Sequence, residues 1–430
     1  MEEGLFTLGT PKSALVVGIY PSGKSMDTCL EHLDELKALG TTYGFLEITA
    51  LPCPIKELNA RTLIGKGKVE EIAERVVKEN IEIVIFDHEI TPNQQKNLEE
   101  VIKRPVIDRT ELILEIFAKR AHSNEATLQI ELAKGRYLLP RLRRMWTHLE
   151  RQRTAGGGAG SGSMRGAGET QLEVDRRILK DRISSLEHEI EDIRKVRDIQ
   201  RSLRLSTGIP TFAIVGYTNV GKSTLLNALT EAEVLMEDKL FATLDTTSRQ
   251  YVLPNKQKIL LIDTVGFIRK LPHTLVAAFR STLEESLYTD ILLHLVDVSH
   301  PAALEQAEAT LQVLEGLGIK DKIIITVLNK VDRCTTPEML DRFRLTYPRT
   351  VAISALHKTG FDELLALMIE AISALRKVMH LRIPQSNFAL AAELMREGRI
   401  ISSDYEGNDI LLDIEIPAKL SHKAAPFERT

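Results

Sequence analysis

The sequence predicts an α/β protein of several domains, and three observations lead to this prediction. Strand and helix patterns alternate over residues 1–110 and again over 211–376, which is typical of parallel sheets covered by helices. Between these two regions, apolar residues recur in steps of three and four, as in a long helical hairpin. The chain of 430 residues is also too long for one ordinary domain.

The first region predicts a small α/β domain over residues 1–110. Apolar runs at SALVVGIY (13–20) and IEIVIFDHEI (81–90) have the length of buried strands. The amphipathic stretch from Asp27 predicts a helix that ends at Gly40. A later helix is expected to follow Thr91, whose side chain can cap its N-terminus.

The second region, residues 111–207, predicts an antiparallel helical hairpin. Apolar residues of its second arm alternate steps of four and three, as in a coiled-coil seam; they are Leu179, Ile183, Leu186, Ile190 and Ile193. Between the arms lies TAGGGAGSGSMRGAGET (154–170), whose glycines and serines predict irregular backbone.

Charge is distributed unevenly along the chain. The net charge is −4 overall, but residues 134–205 hold 17 Lys and Arg against 10 Asp and Glu, a net charge of +7, which leaves −11 for the remainder. Such an asymmetry predicts one basic module on an acidic protein. An ordinary solvated helix face is the alternative interpretation.

The third region, residues 208–378, predicts a doubly wound α/β sheet that begins with the strand TFAIVG (211–216). A short α+β tail is expected over 379–430. No apolar run is long enough to span a bilayer, so we expect no stable membrane insertion. Three widely separated cysteines fit the reducing cytoplasm and form no metal-binding pattern.

A phosphate-binding loop follows the first strand of the third region. It fits the pattern GxxxxGK[ST], with Gly216, Tyr217, Thr218, Asn219, Val220, Gly221, Lys222 and Ser223. It leaves a strand and enters a helix, where backbone N–H groups can point at phosphates. We expect Lys222 to neutralise the β- and γ-phosphates as a catalytic group, and the Ser223 hydroxyl to coordinate Mg²⁺.

A second motif ends the next strong apolar strand and consists of Asp263, Thr264, Val265 and Gly266. Asp263 can hold Mg²⁺ through a water molecule. The backbone N–H of Gly266 can meet the γ-phosphate, which makes it a second catalytic group. This motif alone is common, but its position on a strand end matches the phosphate loop.

A third motif predicts which base is bound, and consists of Asn329, Lys330, Val331 and Asp332. A carboxylate at Asp332 can accept hydrogen bonds from N1–H and N2–H₂ of guanine, which adenine lacks. Ser354 and Ala355 follow another strand and are expected to complete the base pocket. The sequence therefore predicts a P-loop GTPase domain whose ligands are GTP and GDP.

The nucleotide-sensing loop is expected between these motifs. The candidates are Phe241, Ala242, Thr243, Leu244 and Asp245. We expect Thr243 to reach Mg²⁺ in the GTP state, with Thr246 and Thr247 as alternatives.

The residue after Gly266 is Phe267, where many GTPases carry a glutamine that orients water. A phenyl ring cannot orient water by hydrogen bonding, so we expect slow hydrolysis until another group orders the water. Asn219 can help to coordinate a monovalent cation, so K⁺ is a second candidate cofactor beside Mg²⁺.

These motifs, together with LFATLD and above all RGAGETQLEVDRR (165–177), are similar to those of the HflX family of translation-associated GTPases. The resemblance extends over nearly the whole chain. Where the family usually has LDPTTR, this chain has LDTTSR, without the proline. The resemblance implies a cytoplasmic GTPase that binds the large (50S) ribosomal subunit and splits or rescues stalled ribosomes, or acts in ribosome biogenesis. We expect the protein to be a monomer.

The resemblance also implies that the N-terminal region and the hairpin contact ribosomal RNA. Basic residues near the hairpin tip can pair with phosphates; the candidates are Arg141, Arg143, Arg144, Arg151, Arg153 and Arg165. A flexible connector is the alternative for the glycine loop. Members of the family have been proposed to bind ATP in the N-terminal domain, where Gly65 to Lys68 (GKGK) form either an ordinary turn or a phosphate or RNA contact.

Two other functions stay open at this point. The chain can be a regulatory GTP switch that binds a protein partner through its hairpin. It can also be an ATP-driven RNA remodeller, which would require ATPase activity that survives loss of the phosphate loop.

Overall fold

A computed structural model describes most of the chain, namely residues 12–23, 26–121, 123–142, 165–206, 209–230, 241, 247–269, 288–319, 322–417 and 420–429. Two compact units are present. The first consists of residues 1–194, 237–245 and 270–281, and the second of residues 195–236, 246–269 and 282–430. The α/β class predicted from the sequence is confirmed.

A four-stranded sheet in the order β2-β1-β3-β4 forms the centre of the first unit, and all its neighbouring strands are parallel. The strands are β1 (Ser13–Pro21), β2 (Glu47–Ile55), β3 (Ile83–Phe86) and β4 (Val106–Asp108). The helices are α1 (Met26–Tyr43), α2 (Lys66–Lys78), α3 (Pro92–Ile102), α4 (Arg109–Arg120) and α5 (Asn124–Leu138).

Helices cover both faces of this sheet. Helix α1 contacts α4, and α2 contacts α3. Thr91 caps α3 as predicted, because its hydroxyl accepts the Gln94 N–H while the Gln94 side chain accepts the Thr91 N–H. Helix α1 continues beyond the predicted end at Gly40, since Gly40 packs closely on Ile48 and Phe45 and tertiary contact outweighs helix propensity.

The long helix α6 (Arg165–Ser206) forms the second arm of the hairpin. The expectation of irregular backbone over 154–170 is wrong from Arg165 onward, because the helix already includes that residue; residues 154–164 lie outside the described part. The seam predicted for α6 packs on α5, where Leu128 and Leu132 cluster with Leu186. Gly135 lets the two helices approach closely.

A six-stranded sheet in the order β10-β9-β8-β5-β7-β6 forms the core of the second unit. Neighbours are parallel except for β6 and β7, which are antiparallel. The strands are β5 (Thr211–Gly216), β6 (Thr247–Val252), β7 (Lys258–Asp263), β8 (Ile291–Asp297), β9 (Ile323–Asn329) and β10 (Thr350–Ala352). The helices are α7 (Lys222–Thr230), α8 (Ala303–Gly316), α9 (Pro337–Thr346) and α10 (Phe361–Ala374).

The C-terminal tail forms its own antiparallel sheet in the order β11-β13-β12. It consists of β11 (Arg376–Pro384), α11 (Phe388–Glu397), β12 (Arg399–Glu406), β13 (Asp409–Pro417) and α12 (Ser421–Ala424). Apolar residues of β11 and β13 pack under α11 and α12. Within the described part of the chain, no helix is both long and apolar enough to cross a membrane.

Candidate active site

The phosphate loop connects β5 to α7 at the carboxyl edge of the central strand. At Gly221 the backbone has φ 95°, and an added Cβ would lie 2.4 Å from the Asn329 side-chain nitrogen, so only glycine fits. Asn219 has φ 61°, a conformation that asparagine tolerates better than most residues. The loop thus brings backbone N–H groups and the start of α7 to one place, where an anion can bind.

Lys222 is the first residue of α7 and is 7% exposed. Its ammonium donates to the backbone oxygens of Tyr217 at 2.7 Å and Gly216 at 3.3 Å. Burial lowers the pKa of this ammonium to about 8, while the nearby Asp263 carboxylate acts in the opposite direction. A bound phosphate would supply the negative charge that keeps Lys222 protonated.

A hydroxyl and a carboxylate meet where a metal ion would be expected. The Ser223 hydroxyl donates to Asp263 Oδ2 at 2.7 Å, and Asp263 is fully buried at the end of β7. The buried Thr264 hydroxyl donates to the Ile214 oxygen at 2.7 Å and so fixes β7 to β5. Hard oxygen ligands suit Mg²⁺, which takes its remaining ligands from phosphates and water. No group of three His, Cys, Asp or Glu that could hold a metal occurs among the described residues.

Asn329, at the end of β9, connects the phosphate loop to the base-binding side. Its amide nitrogen donates to the Val220 oxygen at 2.8 Å, and its amide oxygen accepts the Ala355 N–H at 2.9 Å. Asn329 is 2% exposed, so the hydrogen bonds are made inside the protein. The side chain therefore holds three loops in register.

Lys330 and Asp332 follow on the next turn. The Lys330 ammonium donates to the Asn219 oxygen at 2.8 Å and pairs with Asp297 at 2.8 Å. Asp332 is partly exposed, and a hydrogen bond from the Ser354 hydroxyl holds the pKa of its carboxyl below the usual value. This carboxylate is ionised at neutral pH and can accept two N–H groups from a guanine ring.

The geometry around the phosphate loop agrees with the known proteins that this chain resembles. Three family models match the chain: a GTP-binding GTPase N-terminal region over residues 30–118, a GTP-binding GTPase middle region over 120–204, and a 50S ribosome-binding GTPase over 211–330. The GTPase HflX of Chlamydia pneumoniae is 46% identical over 97% of this chain and 88% of its own length. This chain belongs to the HflX family of GTPases.

A second curated relative supports the assignment, and one solved structure of lower similarity also matches the chain. The GTPase HflX of Escherichia coli K12 is 40% identical, over 92% of this chain and 88% of its own. A crystal structure of a GTP-binding protein from Sulfolobus solfataricus in complex with GDP is 27% identical and has a TM-score of 0.45; the match covers 85% of this chain and 99% of that one. As a member of the HflX family, the protein binds and hydrolyses GTP.

Within this HflX-family chain, four predicted groups come together around the phosphate loop. Contacts join Ser223 to Asp263, Val220 and Ala355 to Asn329, and Asn219 to Lys330. Sequence reasoning missed Asp297, which pairs with Lys330. Like Asp263, it ends an apolar strand, and that signal could have revealed it.

The predicted sensing loop is described at Phe241 and at the alternative Thr247, which is the first residue of β6. Phe241 belongs to the first unit, where its ring packs edge-on against Phe117 with the centroids 4.6 Å apart. Its oxygen accepts a hydrogen bond from Arg120 at 3.0 Å. In this structure Phe241 is thus a buried packing residue. Ala242, Thr243, Leu244, Asp245 and the alternative Thr246 lie outside the described residues.

The position of Arg141 contradicts the prediction that its side chain contacts RNA. It is 6% exposed, stacks on the Tyr137 ring at 3.7 Å and donates to the Ile90 oxygen at 2.7 Å. A buried guanidinium with these partners cannot reach a phosphate without leaving the core. The other candidates, Arg143, Arg144, Arg151 and Arg153 and the Arg165 side chain, lie outside the described part.

The GKGK sequence has local partners as well. Gly65 precedes α2 as its N-cap and makes no side-chain cap. Lys66 pairs with Glu70 at 3.5 Å and Lys68 with Glu71 at 2.6 Å, both on the surface. These are ordinary helix-surface pairs of small energetic value.

Proposed function

We propose that this HflX-family GTPase acts on the large (50S) ribosomal subunit, where it splits or rescues stalled ribosomes or assists ribosome assembly. The observation that carries the proposal is the match of the nucleotide domain, residues 211–330, to a family described as 50S ribosome-binding GTPases. The protein acts as a monomer in the cytoplasm in this proposal.

The roles of the site residues follow from their positions. The Lys222 ammonium binds the β- and γ-phosphates, and the Gly266 N–H meets the γ-phosphate, so both stabilise charge that develops during transfer. Ser223 directly and Asp263 through water hold Mg²⁺, with Thr243 as a further ligand in the GTP state. When bound, Mg²⁺ would neutralise part of the negative charge of the phosphates. Asp332 selects guanine.

The residue that follows Gly266 suggests that a partner must activate GTP hydrolysis. Phe267 is 3% exposed and carries no polar side-chain atom, so it cannot orient the attacking water. Hydrolysis in isolation is therefore slow, and the ribosome supplies the missing group in this proposal. Asn219 is the residue we assign to a K⁺ ion near the phosphates; equal turnover in sodium and potassium buffers would contradict that assignment.

The hairpin is the proposed contact with ribosomal RNA. With Arg141 buried, the described basic residues that face solvent on α6 include Arg176, Arg177 and Lys180. Exposed cations of this kind attract a phosphate backbone and release its counterions, so that binding weakens with salt. These three residues extend the set predicted from the sequence.

Co-sedimentation with purified large subunits tests the proposal. We expect binding that is stronger with a non-hydrolysable GTP analogue than with GDP and that weakens as salt rises. Arg177→Glu should weaken binding severalfold, whereas Lys78→Glu, an exposed lysine on α2, should not. Binding that ignores both nucleotide and salt would refute the ribosomal assignment.

A protein-binding GTP switch is the second candidate function. Ile178 is 58% exposed and Val196 56% exposed on the described part of α6, and such side chains favour protein contacts over RNA. If the chain is such a switch, Ile178→Ser should reduce capture of the protein partner in a pull-down, whereas Arg177→Glu should leave that capture unchanged.

A further inference from the structure

The chain that follows Asp263 is bonded directly to the phosphate loop. The Thr218 N–H donates to the Phe267 oxygen at 2.7 Å, and the Phe267 N–H donates to the Gly216 oxygen at 3.0 Å. These two bonds form a parallel bridge between Tyr217 and Phe267. A third bond uses a side chain: the Arg269 N–H donates to the Tyr217 hydroxyl at 2.6 Å.

The two backbone bonds lie inside the protein, and the bond from the Arg269 N–H is partly buried. Tyr217 is 6% exposed, Phe267 3% and Ile268 4%. A buried backbone N–H that loses its partner is costly, so each of the three acceptors contributes to holding this segment in place. The Tyr217 hydroxyl is the one acceptor of the three that a side-chain substitution can remove without altering the backbone.

The segment held in this way approaches the phosphate-binding lysine. A Cβ added to Gly266 would lie 2.9 Å from the Lys222 ammonium nitrogen and 2.8 Å from Thr218 Cγ2. The backbone of Gly266 therefore fills the space beside the ammonium. In a P-loop GTPase that space is where the γ-phosphate contacts the lysine. A third phosphate can enter only if Gly266 moves away from Lys222.

Movement of Gly266 must strain or break the bonds of the residues that follow it. Phe267 is its direct neighbour, and Arg269 is three residues along the chain. A nucleoside diphosphate does not need this space, whereas a triphosphate does. The bonded arrangement thus favours binding of the diphosphate over the triphosphate. The free energy of the Tyr217–Arg269 hydrogen bond is part of that difference.

We propose that Tyr217 is a positioning residue that sets the preference of this GTPase between GDP and GTP. Its hydroxyl stabilises the arrangement in which Gly266 occupies the γ-phosphate position, and GTP binding breaks its bond to the Arg269 N–H. This inference depends on the GTPase activity and not on the ribosomal proposal.

Tyr217→Phe tests the proposal, because it keeps the ring and removes the hydroxyl. In the full chain, titration with fluorescent GDP and a fluorescent non-hydrolysable GTP analogue gives the ratio of the two affinities. We expect the ratio to shift about fivefold toward the triphosphate, which corresponds to about 1 kcal/mol for one lost, partly buried hydrogen bond. Tyr251→Phe on β6, a half-buried tyrosine outside the loop, should leave the ratio unchanged.

A second pair of variants removes the donor instead of the acceptor. Arg269→Pro deletes the N–H, while Arg269→Ala keeps it and removes only the side chain. The proposal expects a shift toward the triphosphate with proline and not with alanine. An unchanged affinity ratio in Tyr217→Phe would overturn the proposal, and so would an equal loss of affinity for both nucleotides. Either result would hold even if the melting temperature falls, because a tyrosine that only stabilises the fold would lower the melting temperature without changing the ratio.

Discussion

Two sheets of this chain, one parallel and one mostly parallel, carry polar residues at the carboxyl ends of their strands. In the nucleotide-binding sheet, β5 leads into the phosphate loop and β7 ends in Asp263. In the sheet of the first unit, β4 ends in Asp108, and Asp87 directly follows β3. Ligands of α/β proteins bind at such strand ends, so position alone predicts a site in both sheets.

In the first unit, the protein's own arginines occupy these strand ends. Arg109 is 2% exposed, and its two terminal nitrogens lie 3.1 Å from Asp87 Oδ1 and 3.1 Å from Glu35 Oε2. Asp108 is fully buried and accepts the Tyr137 hydroxyl at 3.2 Å, with Arg141 at 3.6 Å. Acid and base are thus neutralised internally.

The difference between the two edges lies in the unused bonding capacity. In the nucleotide domain, Asp332 stays partly exposed and ionised, and the phosphate loop leads into the start of α7, where backbone N–H groups can bind an anion. In the first unit, the carboxylates have already found cations. A strand end becomes a ligand site only where its donors and acceptors are left for a ligand, and this argues against a nucleotide at Asp87 and Asp108.

Removal of a buried ion pair in the first unit should lower the stability of the protein most. Arg109→Ala leaves Asp87 and Glu35 without their cation in a buried place, so we expect a loss of about 3–5 kcal/mol from the free energy of unfolding of the first unit. Urea titration followed by circular dichroism measures it. Arg136→Ala, whose pair with Glu187 is exposed, should cost less than about 1 kcal/mol. Equal losses would contradict the structural role.

The second prediction concerns GTP affinity at the carboxyl edge of the nucleotide-binding sheet. Asp332→Asn removes one acceptor for guanine and introduces an N–H₂ donor, so GTP affinity should fall about 100-fold, or about 3 kcal/mol. Xanthosine triphosphate, which has an oxygen at position 2, should gain affinity. Asp341→Asn, an exposed residue of α9, is the control and should bind GTP normally. Unchanged GTP affinity in Asp332→Asn would rule out the assigned base contact.

A buried ionisable group without an ion pair should respond to pH. His294 on β8 is fully buried, neither ring nitrogen has a hydrogen-bond partner among the described residues, and burial lowers its pKa to about 4. The unfolded chain, with a pKa near 6.5, binds the proton first, so stability is lost as pH falls from about 6.5 to 4.

Between pH 7 and pH 5 this histidine should account for about 2 kcal/mol of lost stability. His294→Leu should remove that part of the acid sensitivity, as measured by urea unfolding at both pH values. His422→Leu, an exposed histidine of α12, should retain it. The same pH dependence in His294→Leu and the parent would exclude a buried, neutral imidazole.

The smallest effect compares helix caps in the two units. Thr91 caps α3 through the Gln94 N–H, whereas Thr336, the N-cap of α9, makes no side-chain cap. Thr91→Ala should therefore cost about 1 kcal/mol and Thr336→Ala only a few tenths. Thermal unfolding of both variants gives the comparison, and a larger loss in Thr336→Ala would contradict it.

Much of the fold could be predicted because buried strands and motifs leave local patterns. Motif spacing predicts the phosphate loop and the motifs at Asp263 and Asn329. Apolar runs predict that two α/β domains follow one another along the chain. Strands β6 and β12 could not be predicted. Every residue of β12 is exposed, and β6 is an edge strand in which no residue is fully buried. Neither strand therefore has the alternation that marks a half-buried strand.

Tertiary partners account for the other errors. The sequence marks Arg141 as basic but does not reveal that Tyr137 and Ile90 enclose it. The helix that begins at Arg165 includes glycines that predict irregular backbone, since propensity is a weak prior against a long helix. The hydrogen bond between Tyr217 and the Arg269 N–H joins residues 52 positions apart, and no local pattern encodes it.

Nucleotide hydrolysis in two lysine variants tests whether only the edge of the second sheet is a nucleotide site. Lys222→Ala removes the ammonium of the phosphate loop, and the double variant Lys66→Ala/Lys68→Ala removes two surface lysines in the first turn of α2. Turnover of GTP and ATP is measured for each variant beside the parent chain. We expect Lys222→Ala to lower GTP hydrolysis at least about 100-fold, the double variant to match the parent, and no ATP hydrolysis to survive Lys222→Ala. ATP hydrolysis that survives Lys222→Ala and is lost in the double variant would show that the edge of the first sheet, and not only that of the second, is a nucleotide site.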